Sequence, residues 1–243
     1  MNKKAISADE EFSSDVEHIV GAVARHFRGK PVTPEAVLYP NAKDVLHRFQ
    51  AMISAIDWRR YDTDRRLRLL DVGCGPGFLL DYLDQIGLLD RVSYVGTDLN
   101  REIVEVAAKR WPNHTFHVCD IRQQPFGPGE FDVAILCGIF TARFTLGEQA
   151  MRRLMMETLT ATWPSVDQYL AFNVMSKHVD WERDDLFHLP TDDAIGLARN
   201  TLGARNVRIL HDYGLYEYTC VIFRAPIVSA EPIPPAWLGT EKS

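Results

Sequence analysis

Apolar runs of strand length alternate along this chain with segments whose apolar residues recur at helical spacing. The runs predict strands over residues 68–73, 93–98, 115–119, 131–137 and about 168–173. The intervening segments predict helices over residues 78–86, 101–110 and 146–163. Strands that alternate with helices in this way are typical of parallel βαβ units in a doubly wound sheet.

The N-terminal region departs from this alternation. Apolar residues at helical spacing predict amphipathic helices over about residues 16–27 and 41–56, with a proline-bounded crossing between them. Residues 1–15 are polar and acidic, and we expect them to be frayed. We therefore expect residues 1–60 to form a helical extension or lid.

The C-terminal region predicts a different strand arrangement. A helix over residues 191–202 precedes two strands, over 206–211 and 217–224, and the link between these strands is too short for a crossover helix. The two strands are therefore predicted to be antiparallel neighbours. The sequence predicts an α/β fold with a seven-stranded sheet, mostly parallel, that ends in this hairpin. Residues 61–225 would form the ligand-binding domain, and residues 226–243 an extended, proline-rich tail.

Composition narrows the class of protein. The 243 residues suffice for one sizeable core. The net charge of −6 disfavours a surface that neutralises many phosphates, so we expect no nucleic-acid partner. Four scattered cysteines without a CxxC pair predict reduced thiols, as in the cytoplasm. Since no apolar run has spanning length and no apolar signal core follows Met1, we expect a soluble cytoplasmic protein without a membrane partner.

A glycine-rich turn follows the first predicted strand. The stretch LLDVGCGPG, from Leu69 to Gly77, passes through Gly73 and Gly75 into a helix, and such turns let backbone N–H groups approach a nucleotide-like ligand. The dinucleotide fingerprint GxGxxG would place its third small residue where this chain has Phe78. That difference disfavours NAD and favours S-adenosylmethionine (SAM).

The turn resembles the first motif of the class I SAM-dependent methyltransferases, an apolar pair, an acid, an apolar residue and then GxGxG. Further likeness to an uncharacterised bacterial subgroup, associated with small molecules or surface sugars, covers nearly the whole chain after residue 30. It lies in Arg48-Phe49 and in residues 137–140, 172–188 and 210–218. The resemblance implies a Rossmann-like fold, SAM as cofactor and methyl transfer to a metabolite, a biosynthetic intermediate or a sugar.

Candidate cofactor ligands lie where the predicted strands end, since open α/β sheets bind ligands beyond the carboxyl ends of their strands. Asp98 is placed to accept hydrogen bonds from both ribose hydroxyls, although Asp98-Leu99-Asn100 would also suit a helix cap. By resemblance, Asp71 would orient the loop or hold the methionine amino group through water, Asp120 would bond the adenine amino group, and Ile121 would pack on the ring. The predicted cofactor-binding set is Asp71, Gly73, Cys74, Gly75, Gly77, Asp98, Leu99, Asp120, Ile121, Cys137 and Gly138, with Tyr39 and Arg48 from the N-terminal region.

Two members of that set rest on their own arguments. Arg48 stands beside the apolar stripe of its helix and could clamp a carboxylate of SAM or of the substrate bidentately; the alternative is a surface salt bridge. Tyr39, in the proline-bounded crossing, would line a lid over the cofactor or else pack in the core.

The sequence indicates the catalytic residues less clearly than the cofactor ligands, because methyl transfer depends on positioning and needs at most one base. His178 and His211 are the candidate bases, and the alternative places them in a solvated loop and a hairpin turn. The candidate substrate-binding residues are Phe140, Asn173, Asp180, Tyr213 and Tyr216. No HExxH or paired-cysteine pattern suggests a metal.

Several functions remain open from the sequence. The leading one is methyl transfer to a small molecule, for example a carboxylated or amino-bearing metabolite or a sugar. The alternatives are non-methyl SAM chemistry such as cyclisation or alkyl transfer, a non-catalytic SAM-binding protein, and an NAD(P)-dependent reductase, which Phe78 disfavours. A monomer or a homodimer would serve each of them.

Overall fold

The computed structural model describes residues 8–144 and 146–227. Within these residues the helices are α1 (Ala8–Phe27), α2 (Ala42–Ile53), α3 (Phe78–Gln85), α4 (Arg101–Arg110), α5 (Glu148–Thr162) and α6 (Thr191–Asn200). The strands are β1 (Leu67–Val72), β2 (Val92–Asp98), β3 (Thr115–Val118), β4 (Phe131–Leu136), β5 (Val166–Ser176), β6 (His188–Leu189), β7 (Asn206–Leu210) and β8 (Glu217–Phe223). None of these helices is long and apolar enough to cross a membrane.

The strands form one sheet in the order β3-β2-β1-β4-β5-β8-β7. The first five are parallel, and β8 runs antiparallel to both β5 and β7. The mostly parallel α/β sheet with a C-terminal antiparallel pair is therefore confirmed. From β1 the chain adds β2 and β3 on one side of the sheet, and then β4 and β5 on the other side. The switch point therefore lies between β1 and β4, and open α/β sheets bind ligands at such a point.

The described part of the sheet has eight strands, whereas the sequence predicted seven. The additional strand is β6, whose two residues pair with Met175 and Ser176 of β5. The sequence prediction ended β5 at about residue 173. The strand continues because Val174 and Met175 are also buried, which extends the apolar run.

Core residues pack on both faces of the sheet. Leu69 and Leu70 of β1 are neighbours in sequence but belong to two different core clusters, because successive strand residues point to opposite faces. Helix α5 supplies Met155 to one cluster, and α2 supplies Met52 to the other. Burial on both faces explains why these strands are continuous apolar runs.

Helix α1 begins at Ala8, so residues 8–15 are helical and the prediction that they are frayed was wrong. Phe12 is 6% exposed and lies between two guanidinium groups, 4.2 Å from that of Arg153 and 5.5 Å from that of Arg122. Asp9 also pairs with Arg153 at 2.7 Å, and acids in a first turn favour a helix. Residues 1–7 lie outside the described residues, as does the predicted tail after residue 227.

Candidate cofactor and acceptor site

A cavity of about 250 Å³ lies at the carboxyl ends of the parallel strands, bordered by α1. Its lining includes the turn after β1, the residues that follow β2, β3 and β4, and apolar side chains of α1. The predicted site residues that line it are Tyr39, Asp71, Gly73, Cys74, Gly75, Asp98, Leu99, Asp120, Ile121, Cys137, Gly138 and Phe140. The structure therefore brings most of the predicted cofactor ligands to one place.

The three glycines of the turn have different surroundings. Gly73, Gly75 and Gly77 have φ angles of 76°, 54° and 87°, in the left-handed region that favours glycine. A Cβ on Gly73 would overlap Cγ2 of Ile139, and one on Gly77 would lie 2.8 Å from Trp111. A Cβ on Gly75 would meet nothing within 4 Å, so this glycine faces open space. Gly77 caps α3 and lies outside the cavity lining.

Replacing Gly73 with alanine is expected to cost about 2 kcal/mol of unfolding free energy, because left-handed strain and overlap with Ile139 add together. Gly75→Ala is expected to cost only the backbone strain, about 1 kcal/mol. Urea unfolding of the cofactor-free protein measures both. The double variant Gly73→Ala/Ile139→Ala should lose less unfolding free energy than the sum of the two single variants, because Ile139→Ala removes the overlap. Strictly additive losses would contradict the packing argument.

Asp98 holds the turn and keeps hydrogen-bonding capacity. Its Oδ2 accepts the Gly75 N–H at 3.1 Å, and its Oδ1 accepts the Asn100 N–H at 2.8 Å. Burial raises the pKa of this carboxyl group. Each carboxylate oxygen can accept a second hydrogen bond, so two ribose hydroxyls fit here. The cap of α4 is instead Asn100, whose Oδ1 accepts the N–H groups of Glu102 and Ile103.

Asn100 is a site residue that the sequence interpretation treated only as a cap. It lines the cavity, and its Nδ2 is buried without a hydrogen-bond partner among the described residues. A buried donor without a partner is costly, so a ligand acceptor atom at this position would be stabilising. An adenosyl group offers such atoms in its ribose and its base. No sequence signal distinguishes this role from capping.

A second carboxyl group, that of the buried Asp71, lines the same cavity. Tyr94 donates its hydroxyl to Asp71 Oδ2 at 2.7 Å. Burial raises the pKa of Asp71 to about 7, the Tyr94 hydrogen bond opposes this shift, and the nearby Asp98 adds to it. Two carboxyl groups on one cavity favour a ligand with positive charge and hydrogen-bond donors. SAM carries a sulfonium and an ammonium group, whereas the pyrophosphate of a dinucleotide would be repelled.

The pKa of Asp71 predicts how stability depends on pH. Because the folded-state pKa, about 7, exceeds the unfolded value, the folded protein retains a proton that the unfolded chain loses, and this contribution to stability falls between about pH 4 and pH 7. The free energy of unfolding of Asp71→Asn, taken relative to that of the unmodified protein, should therefore be about 2 kcal/mol higher at pH 8 than at pH 5. Urea unfolding of both cofactor-free proteins tests this, and a pH-independent difference would contradict it.

Asp120 is held by an arginine that the sequence interpretation missed. Arg122 binds it bidentately, with Nε to Oδ1 at 2.9 Å and Nη2 to Oδ2 at 2.7 Å. The same guanidinium lies near Phe12 of α1 and 3.7 Å from Glu157. Oδ1 also accepts the backbone N–H of Arg122 at 3.0 Å, whereas Oδ2 keeps a lone pair that can accept from an adenine amino group, and the buried Ile121 lies beside Asp120.

Tyr39 fixes the end of β4 as well as lining the cavity. Its hydroxyl donates to the carbonyl of Cys137 at 3.1 Å. A Cβ on Gly138 would lie 2.6 Å from the hydroxyl oxygen of Tyr39. The Gly138 N–H donates to Asn173 Oδ1 at 2.7 Å. Burial raises the pKa of the Cys137 thiol to about 12, so this sulfur stays protonated and is not a nucleophile at neutral pH.

Arg48 lies in a buried ion pair and not in the cavity lining. Its Nε donates to Glu217 Oε1 at 2.7 Å, and Asn173 Nδ2 donates to the same oxygen at 3.0 Å. Arg48 is 8% exposed and Glu217 is 1% exposed. The placement matches neither the carboxylate clamp nor the surface salt bridge considered from the sequence. It forms a chain of contacts from Arg48 through Glu217 and Asn173 to Gly138.

The predicted catalytic residues and most of the predicted substrate residues lie elsewhere. The predicted catalytic and substrate-binding residues that do not line the cavity are His178, His211, Asn173, Asp180, Tyr213 and Tyr216. His178, His211 and Asp180 are exposed, and Tyr216 is 57% exposed beside Trp181. The aromatic and acidic composition of these segments does not indicate which side chains turn toward the cavity. Across residues 8–144 and 146–227, no group of three His, Cys, Asp or Glu side chains could hold a metal ion.

Comparison with known proteins identifies related sequences. A family model described as a methyltransferase domain matches residues 69–164. The Mycobacterium tuberculosis protein Rv1506c, named provisionally as a methyltransferase, is 31% identical over 159 residues, which cover 64% of this chain and 92% of that protein. The malonyl-(acyl-carrier protein) O-methyltransferase of Legionella pneumophila is 26% identical over 61% of this chain and 64% of that enzyme.

Solved structures share the fold at low sequence identity. Magnesium protoporphyrin IX methyltransferase from Synechocystis with bound SAM has a TM-score of 0.56 and 15% identity, and the match covers 92% of this chain and all of that one. The 1,6-didemethyltoxoflavin N1-methyltransferase of Burkholderia thailandensis, with bound 1,6-didemethyltoxoflavin and S-adenosylhomocysteine, has a TM-score of 0.57 and 15% identity over 93% of this chain and 94% of that one.

Proposed function

Because this chain belongs to the class I SAM-dependent methyltransferases, we propose that it transfers the methyl group of SAM to a small-molecule acceptor. The observation that carries the proposal is the convergence of the glycine turn, Asp98 and Asp120 on one cavity bordered by an apolar helix face. The family membership gives the cofactor. The acceptor and the roles of individual residues are part of the proposal.

The residues at the strand ends would hold the cofactor. Asp98 would accept from the ribose hydroxyls, Asp120 from the adenine amino group, and the backbone of Gly73 and Gly75 would allow close approach. Asp71 would face the methionine amino group, consistent with the negative character of this end of the cavity. When bound, SAM supplies an electrophilic methyl group on a positively charged sulfur.

Helix α1 would act as a lid. Val16, Ile19, Val20 and Val23 present one apolar face to the cavity, which would exclude water from the reacting atoms. Removing water strengthens the electrostatic interactions within such a site and protects it from side reactions. Positioning and desolvation of this kind are the main requirements of an in-line displacement.

The cavity lining restricts how a proton could leave the acceptor. Among the described lining residues there is no histidine, lysine or glutamate, and His178 and His211 are exposed elsewhere. The acceptor would therefore be nucleophilic when neutral.

A small acceptor suits the shape and charge of the site. The cavity lies under α1, and the net charge of −6 disfavours binding to a polyanion. The toxoflavin enzyme named above was solved with bound 1,6-didemethyltoxoflavin, which supports a small-molecule acceptor here. The four cysteines, all free thiols, suit the cytoplasm as its location.

The products of SAM turnover test the proposal. Purified protein incubated with SAM and a pool of small apolar hydroxyl and amine compounds should form S-adenosylhomocysteine only when an acceptor is present, together with a product heavier by one methyl group. Methylthioadenosine formed from SAM alone would instead support cyclisation or alkyl transfer. Binding of SAM without either product across acceptor classes would support a non-catalytic SAM-binding protein.

A further inference from the structure

The cavity has two chemically different parts. Its charged lining residues, Asp71, Asp98, Asp120 and Arg122, all follow or belong to the strands of the sheet. The other part is formed by α1, by α5 and by residues 139–144, and none of the described lining residues from these segments is charged. Its lining includes Ile19, Val20, Phe140, Phe144 and Leu154. This part is called the apolar chamber below.

The charged groups have partners within the protein. Arg122 is the cation among the described lining residues, and its Nε and Nη2 both bind Asp120. The same guanidinium lies 5.5 Å from the ring centre of Phe12, and its Nη1 lies 3.7 Å from Glu157. An acceptor carboxylate or phosphate in the apolar chamber would therefore find no free cationic side chain among the described lining residues. Burying an unpaired charge in this way costs several kcal/mol.

Few polar atoms are available to hold an acceptor. The lining residues that carry a hydroxyl are Tyr39, Thr97, Thr141 and, on α5, Thr158. Tyr39 and Thr141 each donate this hydroxyl to a backbone carbonyl, at 3.1 Å to Cys137 and at 2.9 Å to Gly138. Each hydroxyl oxygen keeps a lone pair that accepts a hydrogen bond. Such a site can satisfy one or two O–H or N–H groups but not the many hydroxyls of a sugar, whose unpaired groups would be costly to bury.

We infer that the acceptor is an uncharged, predominantly apolar molecule with one or two O–H or N–H groups, and that it binds in the apolar chamber beneath α1. This inference rests on the proposed function and narrows its substrate class. It departs from the carboxylated metabolites and sugars considered from the sequence. The chamber selects by desolvation, because its walls accept an apolar ring and penalise a charge.

A matched pair of probes tests the inference. Protein loaded with S-adenosylhomocysteine is titrated calorimetrically with 2-naphthol and with 6-hydroxy-2-naphthoate, which differ by one carboxylate. We expect 2-naphthol to bind at least about tenfold more tightly. Equal affinities, tighter binding of the carboxylate, or no binding of 2-naphthol up to its solubility limit would overturn the inference.

Single-residue variants test whether 2-naphthol binds in the apolar chamber. Val20→Asp should weaken 2-naphthol binding at least about tenfold while the affinity for S-adenosylhomocysteine stays within about threefold. Ile86→Asp, at an exposed position after α3, is the matched control and should change neither affinity. Val20→Asp binding the probe as tightly as the control would contradict the assignment. Should Val20→Asp fail to fold, Val20→Thr takes its place, since threonine has nearly the volume of valine. Val20→Thr is expected to weaken the binding of 2-naphthol about threefold.

Failure of this inference and failure of the proposed function give different results. Protein that does not bind S-adenosylhomocysteine contradicts the proposed function, and the titration with both naphthols on cofactor-free protein still reports on the chamber. Normal binding of S-adenosylhomocysteine without the expected preference for 2-naphthol contradicts only the acceptor class.

Discussion

Replacing Glu217 with alanine is expected to lower the free energy of unfolding by about 3–5 kcal/mol. Glu217 is 1% exposed and is the ion-pair partner of the buried Arg48, at 2.7 Å. Removing the carboxylate leaves the guanidinium buried without a counter-charge and removes the acceptor of Asn173 Nδ2. Urea unfolding at pH 7 gives the difference in unfolding free energy.

Three further variants separate the charge from its surroundings. Glu182→Ala removes a carboxylate from the exposed pair with Lys177 and should cost at most about 1 kcal/mol. Glu217→Gln keeps an oxygen acceptor, so its loss should be smaller than that of Glu217→Ala. Arg48→Met combined with Glu217→Gln removes both charges and should be more stable than Glu217→Ala alone. A loss below 1 kcal/mol for Glu217→Ala would show that this pair does not stabilise the fold.

Asp98→Ala is expected to weaken the binding of S-adenosylhomocysteine by about 100-fold or more. Two hydrogen bonds from ribose hydroxyls to a carboxylate contribute about 1.5 kcal/mol each at the lower end of their range, and about 2.8 kcal/mol corresponds to that factor. The variant also loses the acceptor of the Gly75 and Asn100 N–H groups, which order the turn. Calorimetric titration measures the affinity.

Controls distinguish loss of the ligand contacts from loss of the fold. Asp84→Ala, at an exposed position on α3, should leave the affinity unchanged. Asp98→Asn keeps one acceptor oxygen and should fall between Asp98→Ala and the unmodified protein. Circular dichroism of each variant shows whether the fold is retained. An affinity of Asp98→Ala within threefold of the unmodified value would remove Asp98 from the cofactor site.

The sheet and the glycine turn could be predicted because their signals are local. Runs such as the one around Leu69 and Leu70 are apolar throughout, since both faces of the sheet are covered. The glycines have positive φ angles, a backbone requirement that is visible in the sequence itself. Strand ends converge at one edge of a parallel sheet, so Asp98 and Asp120 could be placed together from their order alone.

Long-range pairing was not accessible in the same way. Arg48 and Glu217 are 169 residues apart and meet only because α2 packs against β8. Asn100 has the same local signal whether or not its Nδ2 faces a ligand. Exposed aromatic and acidic segments such as those around His178 and Tyr216 have the composition of a binding site, but their side chains lie outside the cavity lining. The start of α1 depends on the tertiary contacts of Phe12.

Titration of the unmodified protein with S-adenosylhomocysteine and, separately, with NADH tests most directly that this cavity is a SAM site. The buried Asp71 and the half-buried Asp98, with the glycine turn, predict micromolar binding of S-adenosylhomocysteine and no detectable binding of NADH. Tight binding of NADH, or no heat of binding with S-adenosylhomocysteine at millimolar concentration, would contradict the account.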